Sequence, residues 1–286
     1  MKNRFAITGM SIMGKWGSGI DQFIDFCDGK VNDEVEIPIV PGFVKSNFSP
    51  LVYHNIKKLM ETCTLNKGSR TAILLGSIFG DSITDDLSVC NSVQRQPLDP
   101  LLFAQSIPNA VLGFISRQFN MTGTFSCITS MDPLLTVMLE MSELLLCSDD
   151  ADQVVLTAAE IANPRNDEIY SQYFKTGCKT KHRDIVASIV VETEENALKN
   201  HRPILFYIDE YKELSQHHDL VNEDVTLDFS HDPLLFSSTY SFVKLLLTWD
   251  QMKKSNIQSA SIIDRNLNHK AGKIEISLPM EGNNEH

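Results

Sequence analysis

The chain has 286 residues and a net charge of -12, with 42% hydrophobic and 22% charged residues. That balance excludes gross disorder, and the acidity without a long basic run argues against nucleic acid or an anionic membrane as the main partner. No apolar run approaches the roughly 18 residues of a membrane span, and the opening MKNRFAITGMSIMG lacks a signal-peptide core, so a cytoplasmic protein is expected.

The length permits one large domain or two small ones. Cys27, Cys63, Cys90, Cys127, Cys147 and Cys178 form no CxxC and no zinc spacing. Reduced thiols, no metal and no cofactor are expected.

In chain order, Arg4 to Met10 reads as an apolar strand, Gly14 to Gly19 as a loop, and Ile20 to Cys27 as a helix. The glycine loop has neither GxGxxG spacing nor a following GK[ST], so it is not assigned as a phosphate cradle. Residues 31–50, with three prolines and Gly42, read as loop. Leu51 to Leu65 is an amphipathic helix, and Thr71 to Gly76 a short strand of the kind buried on both faces. A helix starts at Asp99-Pro100 and reaches Asn109, with Pro108 breaking or kinking it.

A strand over Thr124 to Ser130 leads to Asp132-Pro133, suited to N-cap and first helical position. The following helix, Leu134 to Cys147, is apolar nearly all round and should be central. Gln153 to Thr157 and Ile185 to Glu192 are buried strands flanking a polar excursion from Pro164 to Arg183. A short helix near 195–201, a strand ending at Tyr211, a helix over Ser238 to Lys254 and a strand over Lys273 to Leu278 complete the pattern. Strands alternating with helices imply an α/β layered sheet.

Two stretches resemble the β-ketoacyl synthases, condensing enzymes of the thiolase fold. The first is Ile7-Thr8-Gly9-Met10, a glycine-containing loop, and a helix ending near Gly29-Lys30. The second is Asn109 to Glu160: helix, turn, strand, sharp turn, buried helix, buried strand, closing on Ala158-Ala159-Glu160 where the family has Gly-Gly-Ala-Glu. With Asn109 and Gly123 on the family's Asn and Gly, the nucleophilic cysteine position is Asp132. The resemblance covers about three-quarters of the chain and is strongest over residues 4–30 and 71–192. It implies one thiolase-like α-β-α layered domain over 1–286, well matched over 1–210 and shortened over 211–286.

A condensing enzyme needs a thiolate, nucleophilic and a good leaving group near neutral pH, and two assisting histidines. An aspartate cannot form the acyl thioester. The family's histidine motifs are absent; residues 236–242 stand about where the second would be. Cys127 would fall mid-strand and is read as a packed thiol rather than a substitute nucleophile. Asp132 with His217 or His218 could form a different acid-base site, against the simpler reading of a helix cap and a surface pair.

Fold-forming residues kept and catalytic ones lost resemble the chain length factor, the non-catalytic partner of the ketosynthase in type II polyketide synthases. The resemblance implies a heterodimer in which this chain closes the acyl tunnel and so limits chain length. Tunnel positions would be Phe79, Leu101, Leu102, Gln105 and Ser106. The strand Thr124, Phe125, Ser126, Cys127, Ile128 and Thr129 would pair across the interface. The shortened C-terminal part should leave apolar surface for a partner. The acyl carrier protein, acidic in this family, should dock mainly on the ketosynthase. An aromatic polyketide is favoured over an aryl polyene; a scaffold without chain-length control and a stand-alone hydrolase or decarboxylase using Asp132 are the alternatives.

Overall fold

The computed structural model describes residues 4–32, 35–97, 99–130, 133–174, 182–214, 236–265 and 270–280. The strands are β1 (Phe5–Gly14), β2 (Gly17–Ser18), β3 (Thr71–Gly76), β4 (Phe125–Ile128), β5 (Gln153–Glu160), β6 (Ile185–Thr193), β7 (Phe206–Leu214), β8 (Ser259–Arg265) and β9 (Ala271–Ser277). Among the described residues they form one nine-stranded sheet in the order β4-β3-β5-β6-β1-β7-β9-β8, with β2 a hairpin on β1. β3 runs parallel to β4 and β5, whereas β6, β1, β7, β9 and β8 follow one another antiparallel.

Side chains alternate across each strand, and both faces of the central strands are covered. On one face, α2 (Phe48–Thr62) and α5 (Asn109–Phe119) pack on Ile73, Leu75, Val155, Val186 and Val190. On the other, α6 (Leu134–Cys147) and α9 (Ser237–Ser255) pack on Leu74, Leu156, Ile189 and Val191. The same core continues to Ile262, Ile274 and Ile276 of β8 and β9, so the sheet curls around α6 and α9. α6 is buried mainly over its first half, whereas Glu140, Leu144 and Cys147 are exposed, so the central burial expected from its nearly all-apolar pattern is only partly met.

β9 behaves differently from the central strands. Ile274 and Ile276 face the helices, while Lys273, Glu275 and Ser277 face outward and Lys273 pairs with Glu275 at 3.0 Å. The expected apolar surface on the shortened part is therefore not found on this strand. Met280, just after this strand, is exposed, and other exposed large apolar side chains include Leu144 of α6 and Val93, Leu101 and Phe103 of α3 (Ser82–Val93) and α4 (Pro100–Ser106).

Several elements depart from the sequence reading. Pro108 splits the expected helix in two: α4 ends at Ser106, and Pro108 is the N-cap of α5. The polar excursion contains α7 (Pro164–Phe174), whose start is marked by Asn163 Oδ1 accepting from Arg165 N at 3.0 Å. Its low hydrophobicity hid it. α3 and β8 were also missed, α3 because its apolar residues form only a weak stripe. The remaining helices, α1 (Ile20–Cys27) and α8 (Glu194–Lys199), fall where expected.

Candidate functional site

The site is built at the ends of β3, β4 and β5, on the side from which α6 begins. β3 ends in Gly76, where a Cβ would lie 2.7 Å from Leu134 and 3.0 Å from the sulfur of Met138. Only a glycine lets α6 approach this closely.

Residues 77–80 then turn sharply, and each of their backbone N–H groups has a partner. Ser77 N donates to Ile128 O at 3.1 Å, and Gly80 N to the Ser77 hydroxyl at 2.8 Å. Ile78 N and Phe79 N both donate to the Glu160 carboxylate, at 2.5 and 3.3 Å. The Thr129 hydroxyl ties the turn to β4 by donating to Ser77 O at 2.8 Å.

Glu160 ends β5 and is wholly buried. Its third donor is the hydroxyl of Ser238, at 2.5 Å, in the first turn of α9. Burial pushes its carboxyl up to about 7, and the hydroxyl and backbone donors pull the other way. Beside it lies an aromatic wall. The Phe79 ring meets Phe236 edge-on at 5.4 Å, and Phe236 stacks on His182 at 3.7 Å. Tyr170 closes the edge of both His182 and Phe236. His182 Nδ1 lies 2.7 Å from Asp167 of α7, and burial lowers the imidazole pKa against the opposing pull of that carboxylate.

A second buried carboxylate holds the start of α6. Asp264 of β8 accepts from Thr136 N at 2.8 Å, the Thr136 hydroxyl at 2.9 Å and the Ser241 hydroxyl at 2.5 Å. Gly272, its register partner on β9, leaves the space that the Thr136 hydroxyl fills. Burial raises the Asp264 pKa. The helix begins at Leu134 with Pro133 in the N-cap position, one residue later than expected. Asp132, read as the cap and as the occupant of the nucleophile position, lies outside the described residues, as do His217 and His218.

Of the expected tunnel residues, Phe79 belongs to the turn over Glu160. Leu102 is buried on α4, whereas Leu101 is 67% exposed. The Gln105 Oε1 is buried without a hydrogen-bond partner among the described residues, and the Ser106 hydroxyl is turned onto Phe103 O at 2.9 Å. The turn meets this region at the junction of α4 and α5, where Gly80 backs onto Pro108.

The expected interface strand is β4, half-buried throughout and at one end of the sheet. Its register places Phe125 beside Ile73 and Cys127 beside Leu75. Ile73 N donates to Thr124 O and Ser77 N to Ile128 O. By the alternation of a parallel ladder, Ser126 also bonds inward, and the backbone groups of Phe125 and Cys127 face the open edge. Burial pushes the Cys127 thiol up to about 12, the opposite of what a thiolate nucleophile needs.

Sequence reasoning missed His182, Asp167, Ser238 and Asp264. Asp264 carried a readable sign: it closes an alternating run on the apolar side, after Ala260 and Ile262. A carboxylate in that place must be paired or uncharged. Among the described residues no group of three His, Cys, Asp or Glu side chains could hold a metal ion, and no helix is long and apolar enough to cross a membrane.

No family model and no curated protein matches this sequence. Solved structures do match its fold. The ishigamide ketosynthase/chain length factor aligns with a TM-score of 0.76 at 12% identity, over 96% of this chain and 99% of that one. The type II PKS ketosynthase AntDE, in complex with the acyl-carrier protein AntF and bound to the hexaketide, aligns at 0.73 and 10% identity, over 97% and 100%. The ketosynthase ApeO in complex with its chain length factor ApeC, from Xenorhabdus doucetiae, aligns at 0.62 and 14%, over 96% and 100%. Identities this low speak for the fold alone. The chain has the thiolase-like layered α/β fold found in ketosynthase and chain length factor structures.

Proposed function

We propose that this protein is the non-catalytic chain length factor of a type II polyketide synthase, paired with a ketosynthase and closing its acyl tunnel. The observation that carries the proposal is the packing of Phe79, Phe236 and His182 beside Glu160. Where a condensing enzyme needs a free thiolate and two available histidines, this chain has side chains engaged with one another. His182 is taken up by Asp167 and Phe236, and Ser238 by Glu160. Such a cluster suits a wall better than a reaction centre.

The open edge of β4 supports the pairing. An edge strand with outward N–H and C=O groups and half-buried apolar side chains is a template for a second strand. The chain's net charge of -12 favours docking of an acidic carrier protein on the ketosynthase. We read the product as an aromatic polyketide, with an aryl polyene as the second reading. The expected setting is the cytoplasm.

The test is co-expression with a candidate partner ketosynthase from the same genome, tagging only this chain, followed by size-exclusion chromatography. A one-to-one complex, with this chain aggregated when made alone, supports the proposal. A monodisperse homodimer that ignores the ketosynthase overturns it, and acyl-thioester hydrolysis abolished by Asp132→Asn would then be sought.

A further inference from the structure

The proposed tunnel closure leaves open what holds Phe79 at a fixed depth. Its turn is short, and the hydrogen bonds of Ser77 and Gly80 anchor only its two ends. Between them, Ile78 N and Phe79 N meet a single partner, the carboxylate of Glu160, which comes from the end of a different strand. The same carboxylate takes the hydroxyl of Ser238, two residues after Phe236. One group therefore fixes both members of the Phe79–Phe236 ring pair, the first through its backbone and the second through the start of α9.

We infer that Glu160 is a positioning residue for chain length, setting how far the Phe79 ring reaches by anchoring the turn that carries it. The inference rests on the reading of Phe79 as a tunnel-closing residue. Glu160 itself touches no substrate. A wholly buried carboxylate that meets the backbone N–H groups of Ile78 and Phe79 and the hydroxyls of Ser238 and Ser77 is costly to place and well ordered once its donors are met. Its neighbour Phe236 is fully buried, and His182 stacks on that ring, so Phe79 has a firm backing on one side. The turn's opposite side rests on Pro108 at the α4–α5 junction.

The experiment measures product length from the reconstituted complex of this chain, its ketosynthase and the carrier protein. Assayed at pH 8, where Glu160 is ionised, Glu160→Gln keeps one acceptor oxygen but points amide hydrogens at a backbone donor. The ratio of native-length to longer product should fall about fivefold, the weight of one lost hydrogen bond. Glu160→Asp, which withdraws the carboxylate by one methylene, should shift the products the same way. Ser238→Ala keeps both bonds to the turn but frees the start of α9, so it should lower the melting temperature of the complex and move the product ratio less than either Glu160 variant. In a Phe79→Ala background neither Glu160 variant should have a further effect on length.

A native product ratio in an assembled Glu160→Gln or Glu160→Asp complex overturns the inference. So does an equal shift with and without Phe79, or failure of both Glu160 variants to assemble, which would make the carboxylate a folding determinant only. If Phe79→Ala alone leaves the products unchanged, the tunnel reading itself fails, and this inference falls with it.

Discussion

Asp264 and Thr136 are 128 positions apart in sequence, yet the carboxylate of the first accepts both the backbone N–H and the hydroxyl of the second. A strand near the C-terminus thereby caps the helix that begins at the strand ends of the site. Three buried donors converge on one group, so removing it leaves all three unsatisfied. Asp264→Ala should destabilise the protein by about 3 kcal/mol, lowering Tm by about 8 °C. Differential scanning calorimetry of the complex checks this. Asp264→Asn, which keeps an acceptor for the helix N–H, should cost less than half as much. Gly272→Ala should also destabilise, because its methyl group would collide with the Thr136 hydroxyl.

Glu160 gives a pH dependence whose sign follows from its burial. The folded carboxyl keeps its proton up to about 7, whereas an ordinary glutamate releases it near 4.5. Between these values the folded state binds more protons than the unfolded state, so stability falls as pH rises through that window. The full loss is about 3 kcal/mol, complete above pH 7. Urea denaturation at pH 5 and pH 8 should show it, and Glu160→Gln should flatten the difference. Equal slopes for wild type and variant would refute the assignment.

The proposed interface rests on which backbone groups of β4 point outward. Cys127 donates no ladder bond to β3 by the alternation described above, so Cys127→Pro should leave the internal sheet paired. It should weaken assembly with the ketosynthase by about a hundredfold, through lost cross-strand hydrogen bonds and a shape mismatch. Ser126→Pro should disturb the fold itself, because its N–H faces β3. Circular dichroism and titration of the two subunits separate the outcomes.

Phe79 and Leu101 should act in opposite directions on product length. Phe79→Ala opens space beside Phe236 and should lengthen the product. Leu101→Phe adds bulk and should shorten it. Leu101 is 67% exposed in the isolated chain, so its effect requires that assembly cover it. Mass spectrometry of the released products reads both. An unchanged distribution in both variants would favour a scaffold that stabilises the synthase without measuring the chain.

The sequence by itself determined the local elements whose signals are short-range. The apolar runs at Thr71–Gly76 and Ile185–Glu192, the largely apolar helix Leu134–Cys147 and the helix over Ile20–Cys27 were legible because burial on both faces, or on one stripe, is written in the spacing. Pro108 announced a break for the same local reason. Tertiary structure alone decided how the buried charges are met. Nothing near Glu160 in sequence shows that its donors come from residues 78, 79 and 238, and nothing near Thr136 shows that its partner is Asp264. Hydrogen-bond partners of buried groups are fixed by which strands and helices become neighbours in space. In this sheet those neighbours lie about 80 to 130 residues apart, beyond the reach of any local pattern.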